Sequence, residues 1–159
     1  MNKKNIKKII VLLIILILIV CDQLVKFYIT SNFKLGQVKK FIPKVLSLTY
    51  LQNTGAAFSI LENQQWFFTI ITIIAVGLVG WYLNKHIDRS PWFVGGYSLV
   101  IAGGIGNFID RLHQGFVVDM FQLEFIHFAI FNVADSYLTI GVLILLVLSF
   151  KEEVNGTKN

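Results

Sequence analysis

Four carboxylates stand at the ends of apolar stretches in this chain: Asp22, Asp110, Asp119 and Asp135. A charge at the edge of lipid is costly, so an ionisable residue there signals a functional site by default. Two carboxylates held close together do not both ionise readily, because the like charge raises one pKa. A low-dielectric setting widens the split. One member stays ionised and takes a proton from water; the other stays protonated and donates to a carbonyl oxygen. That arrangement hydrolyses a peptide bond without metal, serine or cysteine. Asp119 and Asp135 are the expected pair, one on an outer loop and the other at the top of a helix, so that the end of a substrate helix can enter between them. Such a pair titrates as a unit, and either member could be the base.

The elements that position these acids are membrane spans. Of the 159 residues, 55% are hydrophobic and 14% charged, against roughly 25% charged in an ordinary soluble domain. One integral membrane domain over residues 1–159 is expected. Apolar stretches at about 6–29, 65–84, 91–111 and 131–150 are each long enough for the roughly 20 helical residues a bilayer core requires. The net charge of +5 fits topology and anionic lipid, and no patch suggests nucleic acid. Lys3, Lys4, Lys7 and Lys8 precede the first span, Lys85 and Arg89 lie between spans two and three, and Lys151 and Lys158 follow the fourth. These put both termini in the cytoplasm, although Lys34, Lys39, Lys40 and Lys44 lie on the opposite side. All four acids then sit at the outer end of the bundle.

The outer segments carry structure of their own. Leu46–Tyr50 and Phe116–Phe121 alternate apolar and polar residues as half-buried strands do. Asn53-Thr54-Gly55 reads as a turn, and Ala56–Leu61 as a short surface helix with Phe58 an interfacial anchor or part of a lid. The expected class is an all-α membrane protein with four transmembrane helices, a small extracytoplasmic sheet and that surface helix. The single cysteine, Cys21, permits no internal disulfide. Leu18-Ile19-Val20-Cys21 faintly resembles a cleavage box, but Val20 fits poorly. The first span therefore reads as a retained helix, with Cys21 a small buried apolar residue.

Other residues fall into line around the acids. Asn107 lies over Asp110 and Arg111 at helical spacing. Asp110 and Arg111 read either as an interfacial charge pair or, for Arg111, as a group that orients a peptide carbonyl or lipid headgroup. Gly103, Gly104 and Gly106 allow close helix packing. Asn132 reads as an N-cap, and Asp135 suits a helix N-terminus. Asp22 and Lys26, four apart, form an ion pair or support the site.

Together these motifs resemble the lipoprotein signal peptidases, the type II signal peptidases of bacteria. The likeness rests on Asp22-Gln23-Leu24 with Lys26, on Asn53 to Ser59, on Gly103 with Gly106 to Arg111, on Gly115 to Asp119, and on Phe131 to Ser136. Each is a short pattern; five in order cover nearly the whole chain. The resemblance implies an aspartyl endopeptidase with Asp119 and Asp135 as catalytic dyad and no cofactor or metal. Its substrate would be a diacylglyceryl-modified prolipoprotein cut just before the lipidated cysteine, and globomycin would inhibit it. It also implies a β-cradle, a mobile segment near Phe58, and supporting or substrate-binding roles for Asp22, Asn53, Gly103, Asn107, Arg111, Asn132 and Ala134. Lys26, Gly55 and Asp110, which stand in the same motifs, are taken with them.

Three rival chemistries arise from the same residues. A transporter would tend to place its charges near the midplane and carry repeats, and here the acids cluster at one end. A serine–lysine peptidase could draw on Ser59, Ser136 and Lys26, but needs a neutral lysine, and Asp22 should keep Lys26 charged. A zinc enzyme could draw on His113 and His127, which have no metal-ligand spacing.

Overall fold

The computed structural model describes residues 2–55 and 64–156. Along them run α1 (Lys3–Asn32), β1 (Val38–Ile42), β2 (Leu46–Asn53), α2 (Gln65–Lys85), α3 (Pro91–Gln114), β3 (Val117–Leu123) and α4 (Val133–Gly156). All four helices are long and apolar enough to cross a membrane. Leu12, Leu16, Leu24 and Phe27 of α1 and Ile70, Ile74 and Leu78 of α2 face outward. Apolar side chains on the outside as well as the inside mark helices whose solvent is lipid. The proposed surface helix at Ala56–Leu61, with Phe58 and Ser59, lies outside the described residues.

Helix α3 is the hub, packing on α4, α2 and α1, while α1 and α4 barely meet. Its sequence explains this. Ala102, Gly103 and Gly106 are buried, and small residues bring backbones close. A Cβ on Gly103 would overlap the Ala134 carbonyl oxygen of α4. One on Gly106 would lie 2.6 Å from Asp22 Oδ2 and 3.1 Å from Ala134 Cβ. Gly103→Ala therefore pushes the start of α4 away from α3, and is expected to cost about 1–3 kcal/mol as an overpacking change. The control is Gly95→Ala, where a Cβ meets nothing within 4 Å. Thermal unfolding in detergent should show a lowered midpoint for the first variant and an unchanged or raised one for the second.

Pro91 opens α3 behind the Ser90 cap, and Gly115 closes it in the left-handed conformation at φ 77°, which glycine adopts without penalty. That turn sends the chain directly into β3. The sheet is antiparallel in the order β1-β2-β3, and pairs Leu51 with Asp119 and Asn53 with Val117. Val118 and Met120 of β3 are buried in a cluster with Ile29 and Phe33 from the end of α1. At the other end of the bundle, Lys4 meets Asp88 at 3.2 Å and Arg89 pairs with Glu152.

The outer strands expected from alternation appear as β2 and β3. Strand β1 was not expected: all five of its residues are exposed, so no one-sided burial imprints a period of two. Cys21 is exposed, which corrects its reading as a buried residue. It lies on the outward side of α1 between Val20 and Leu24, both exposed.

Candidate active site

The start of α4 is built by a reciprocal cap. Asn132 Oδ1 accepts from the Asp135 N–H at 2.9 Å, and Asp135 Oδ2 accepts from the Asn132 N–H at 3.1 Å. This is the capping-box arrangement with aspartate in the glutamate position. It uses only the oxygen of the Asn132 side chain. The amide nitrogen is left to donate to Asp119 Oδ1 at 2.7 Å and to Asn107 Oδ1 at 3.1 Å. One asparagine therefore touches both Asp119 and Asp135 while it caps α4.

Asp119 sits in the middle of β3 and is 1% exposed. Its second oxygen accepts from Asn53 Nδ2 at 2.8 Å. Asn53 is fixed in turn by the Gly55 N–H, which donates to Asn53 Oδ1 at 2.9 Å; this is the expected turn. Burial first, and the Asp135 charge second, push the Asp119 carboxyl up to about 7 against the pull of Asn53, Asn132 and Lys26. The second oxygen of Asp135 accepts from Asn107 Nδ2 at 2.7 Å. Each carboxylate is thus held by amide donors from two sides.

Behind this pair lies a buried ionic cluster. Lys26 Nζ is 2.9 Å from Asp22 Oδ2 and 3.0 Å from Asp110 Oδ2, and donates to Asn107 Oδ1 at 3.0 Å. Asp110 therefore pairs with Lys26 of α1 and not with its neighbour Arg111, which corrects the adjacent-pair reading. Helix α3 turns Asp110 toward α1 and leaves Arg111 on another side. Arg111 donates to the Gly55 carbonyl at 3.1 Å and lies 4.9 Å over the Phe68 ring.

A cavity of about 680 Å³ opens on these groups, lined by Asn53, Asn107, Arg111, Asp119 and Asp135 at its polar side. Phe68 and Thr72 of α2, Gly104 of α3, and Leu138 and Ile140 of α4 line its apolar side. Such a space suits an apolar chain that ends in a polar, cleavable group. Ser136 also lines it, its hydroxyl donating to the Asn132 carbonyl at 3.0 Å. Lys26, which a serine–lysine reading needs neutral, is held by two carboxylates. Among the described residues no three His, Cys, Asp or Glu side chains converge as a metal site.

The structure thus brings together Asp119, Asp135, Asn53, Asn107, Asn132 and Arg111 around one cavity, with Asp22, Lys26 and Asp110 behind it. Gly55 enters through its backbone, Gly103 through the space it leaves, and Ala134 through its N–H, which donates to Asp22 Oδ1 at 2.9 Å. Sequence reasoning missed Gln23 as a site residue. Its amide donates to Asp110 Oδ1 at 3.0 Å and to the Gly106 carbonyl at 3.2 Å, and its place beside Asp22 was the available signal. It also missed Phe68, which stands in an uncharged span with nothing local to mark it.

Four spans that enclose buried, paired acids at one end define a membrane-embedded enzyme, and the chain's likenesses agree. It superposes on a bacterial membrane enzyme solved by the in meso method at 2.3 Å with a TM-score of 0.87 and 37% identity, over 91% of this chain and 90% of that one. A second such structure, at 1.9 Å, gives 0.82 and 37% over 89% and 92%. A family model for signal peptidase (SPase) II matches residues 14–151. The lipoprotein signal peptidase of Streptococcus pneumoniae (strain ATCC BAA-255 / R6) is 61% identical over 150 residues, 94% of this chain and 98% of the relative. That of Streptococcus agalactiae serotype V (strain ATCC BAA-611 / 2603 V/R) is 58% identical over 153 residues, 96% and 99%. The chain belongs to the signal peptidase II family, and as such is a multi-pass membrane protease.

Proposed function

We propose that this protease is an aspartyl endopeptidase that removes the signal peptide from diacylglyceryl-modified prolipoproteins, cutting just before the lipidated cysteine. The observation that carries the reading is Asn132, one residue bonded to both Asp119 and Asp135 beside a cavity. Asp135, at a helix N-terminus that favours negative charge, is the base. Asp119, pushed up to about 7, holds the proton. Asp135 takes a proton from water as its oxygen adds to the scissile carbonyl carbon, and Asp119 gives its proton to the carbonyl oxygen. The tetrahedral diol then collapses. The C–N bond breaks, the amine nitrogen takes the proton from Asp135, and Asp119 recovers its own.

The reading places both termini in the cytoplasm and the dyad at the extracytoplasmic lip of the bilayer. A lipidated substrate keeps its acyl chains in the membrane and presents its scissile bond at that height. The whole chain acts as one peptidase domain, and globomycin occupies the same cavity in competition with substrate. The test uses purified enzyme in lipid with one precursor in two forms, with and without diacylglycerol on the cysteine. Cleavage before the cysteine, restricted to the lipidated form and blocked by globomycin, is expected. Equal cleavage of both forms would overturn the substrate assignment.

The proton on Asp119 also sets a pH dependence. The value of kcat/KM reports the free enzyme, so it should fall as pH rises past about 7, where Asp119 loses its proton. A pH–rate series with one lipidated precursor checks this, and a rate still rising at pH 9 would contradict it.

A further inference from the structure

Proton transfer at the dyad gives no task to the charge on Lys26, yet that ammonium is 3% exposed between two carboxylates that are themselves almost fully buried. Burying three charges is expensive, and such clusters contribute less to stability than well-packed apolar residues of the same size. The backbone contacts of the two acids show what the arrangement does. Asp22 Oδ1 accepts from the N–H of Ala134, the residue before Asp135, at 2.9 Å. Asp110 Oδ2 accepts from the N–H of Val118, the residue before Asp119, at 3.0 Å. These bonds join α1 to α4 and α3 to β3, and a single cation sits between their acceptors. Lys26 also reaches Asn107 Oδ1, and Asn107 donates to Asp135. Three routes run from one ammonium, two to the N–H of the residue before each dyad member and one to the side chain of Asp135.

Building on the dyad reading, we propose that Lys26 is a positioning residue. Through Asp22 and Asp110 it locks the peptide groups preceding Asp135 and Asp119, and so fixes the distance between the two carboxylates. An ionised carboxylate accepts a backbone N–H more strongly than a neutral acceptor does, and a neighbouring cation favours the ionised form of a buried carboxylate. Remove the ammonium and both locks loosen together. Gln23, which donates to Asp110 Oδ1 and Asp22 Oδ2 at 3.0 and 3.2 Å, cannot replace a positive charge.

The charged and polar groups around Asp119 are Asp135 and Asn132 near the start of α4, Asn53 on β2, Lys26 on α1, and Asp110 and Arg111 on α3. Of these, Lys26 is a cation that favours the ionised form of Asp119. Its removal should therefore move the alkaline limb of kcat/KM upward by roughly half a pH unit or more. That shift reads the charge of Lys26 at the dyad, and exchange at the Val118 and Ala134 amides reads its positioning role.

The experiment compares wild type with Lys26→Met by hydrogen exchange and by cleavage of a lipidated precursor. The expected result is faster exchange at the Val118 and Ala134 amides, with α2 protected as before, a kcat lowered roughly 100-fold at little-changed KM, and the shifted limb. Because Lys26→Met could fail to fold, Asp110→Asn and Asp110→Ala form a second pair. Asparagine keeps an acceptor for the Val118 N–H and should lose at most about tenfold in kcat, whereas alanine should lose at least about 100-fold. Unchanged exchange at both amides, or equal losses for the two Asp110 variants, overturns the positioning role. Exchange is read without turnover, so failure here is distinct from failure of the dyad reading, which the asparagine variants of Asp119 and Asp135 test.

Discussion

Asparagine at position 119 or at position 135 is expected to abolish cleavage while leaving the protein folded and membrane-inserted. Each substitution keeps the side chain's shape and one oxygen acceptor for its amide donors. Each removes the group that moves a proton. In Asp119→Asn the side chain has no acidic proton to give to a carbonyl oxygen, and in Asp135→Asn it cannot take one from water. General acid and base contributions are each worth about 10²–10⁴-fold, and residues that work as a unit lose nearly everything when either is removed. A loss on the order of 10³-fold or more in kcat is expected for either variant, and little further loss for the double variant. Single-turnover cleavage of a diacylglyceryl-modified precursor is the measurement. Robust turnover by either single variant rejects the dyad.

The second large effect is expected at Asn132. Asn132→Ala removes the donor to Asp119 and Asn107 and the acceptor that caps α4 at Asp135. Loss of the cap alone costs about 1 kcal/mol of stability. The greater consequence is geometric, because the two acids then lack the residue that touches both. A kcat lowered by about 10²–10³-fold is expected, in the range seen when one preorganised donor is removed. Asn132→Asp separates the two roles, since it retains the capping oxygen but loses the amide donor and places a third carboxyl group beside the pair. It should keep the thermal stability that alanine loses and still be inactive. An active Asn132→Ala would show that the link between the acids is incidental.

Much of this architecture was legible in the chain because its solvent is lipid. Uninterrupted apolar runs mark spans whatever packs against them, and Asp22, Asp110 and Asp135 stand out because charges seldom occur there. The strands β2 and β3 were visible where burial is one-sided enough to alternate. Strand β1 was not, since Val38–Ile42 is exposed on both faces. Pairing across helices was hidden for a different reason. Adjacent residues on a helix point apart by about 100°, so Asp110 and Arg111 serve different neighbours, and only the packing of α3 on α1 selects Lys26 as the partner of Asp110. Phe68 and Thr72 reach the cavity because α2 leans on α3 at Gly104, whose absent side chain leaves room for Val76. No local pattern in the uncharged second span announces that.

Catalysis as proposed depends on one proton held on Asp119 beside the charged Asp135, and infrared difference spectroscopy across a pH titration reads it directly. The protonated carboxyl band of the wild-type enzyme should fade as pH passes about 7, and that component should be missing from Asp119→Asn. A band that persists unchanged in Asp119→Asn, or no carboxyl that titrates between about pH 5 and pH 9, would contradict it.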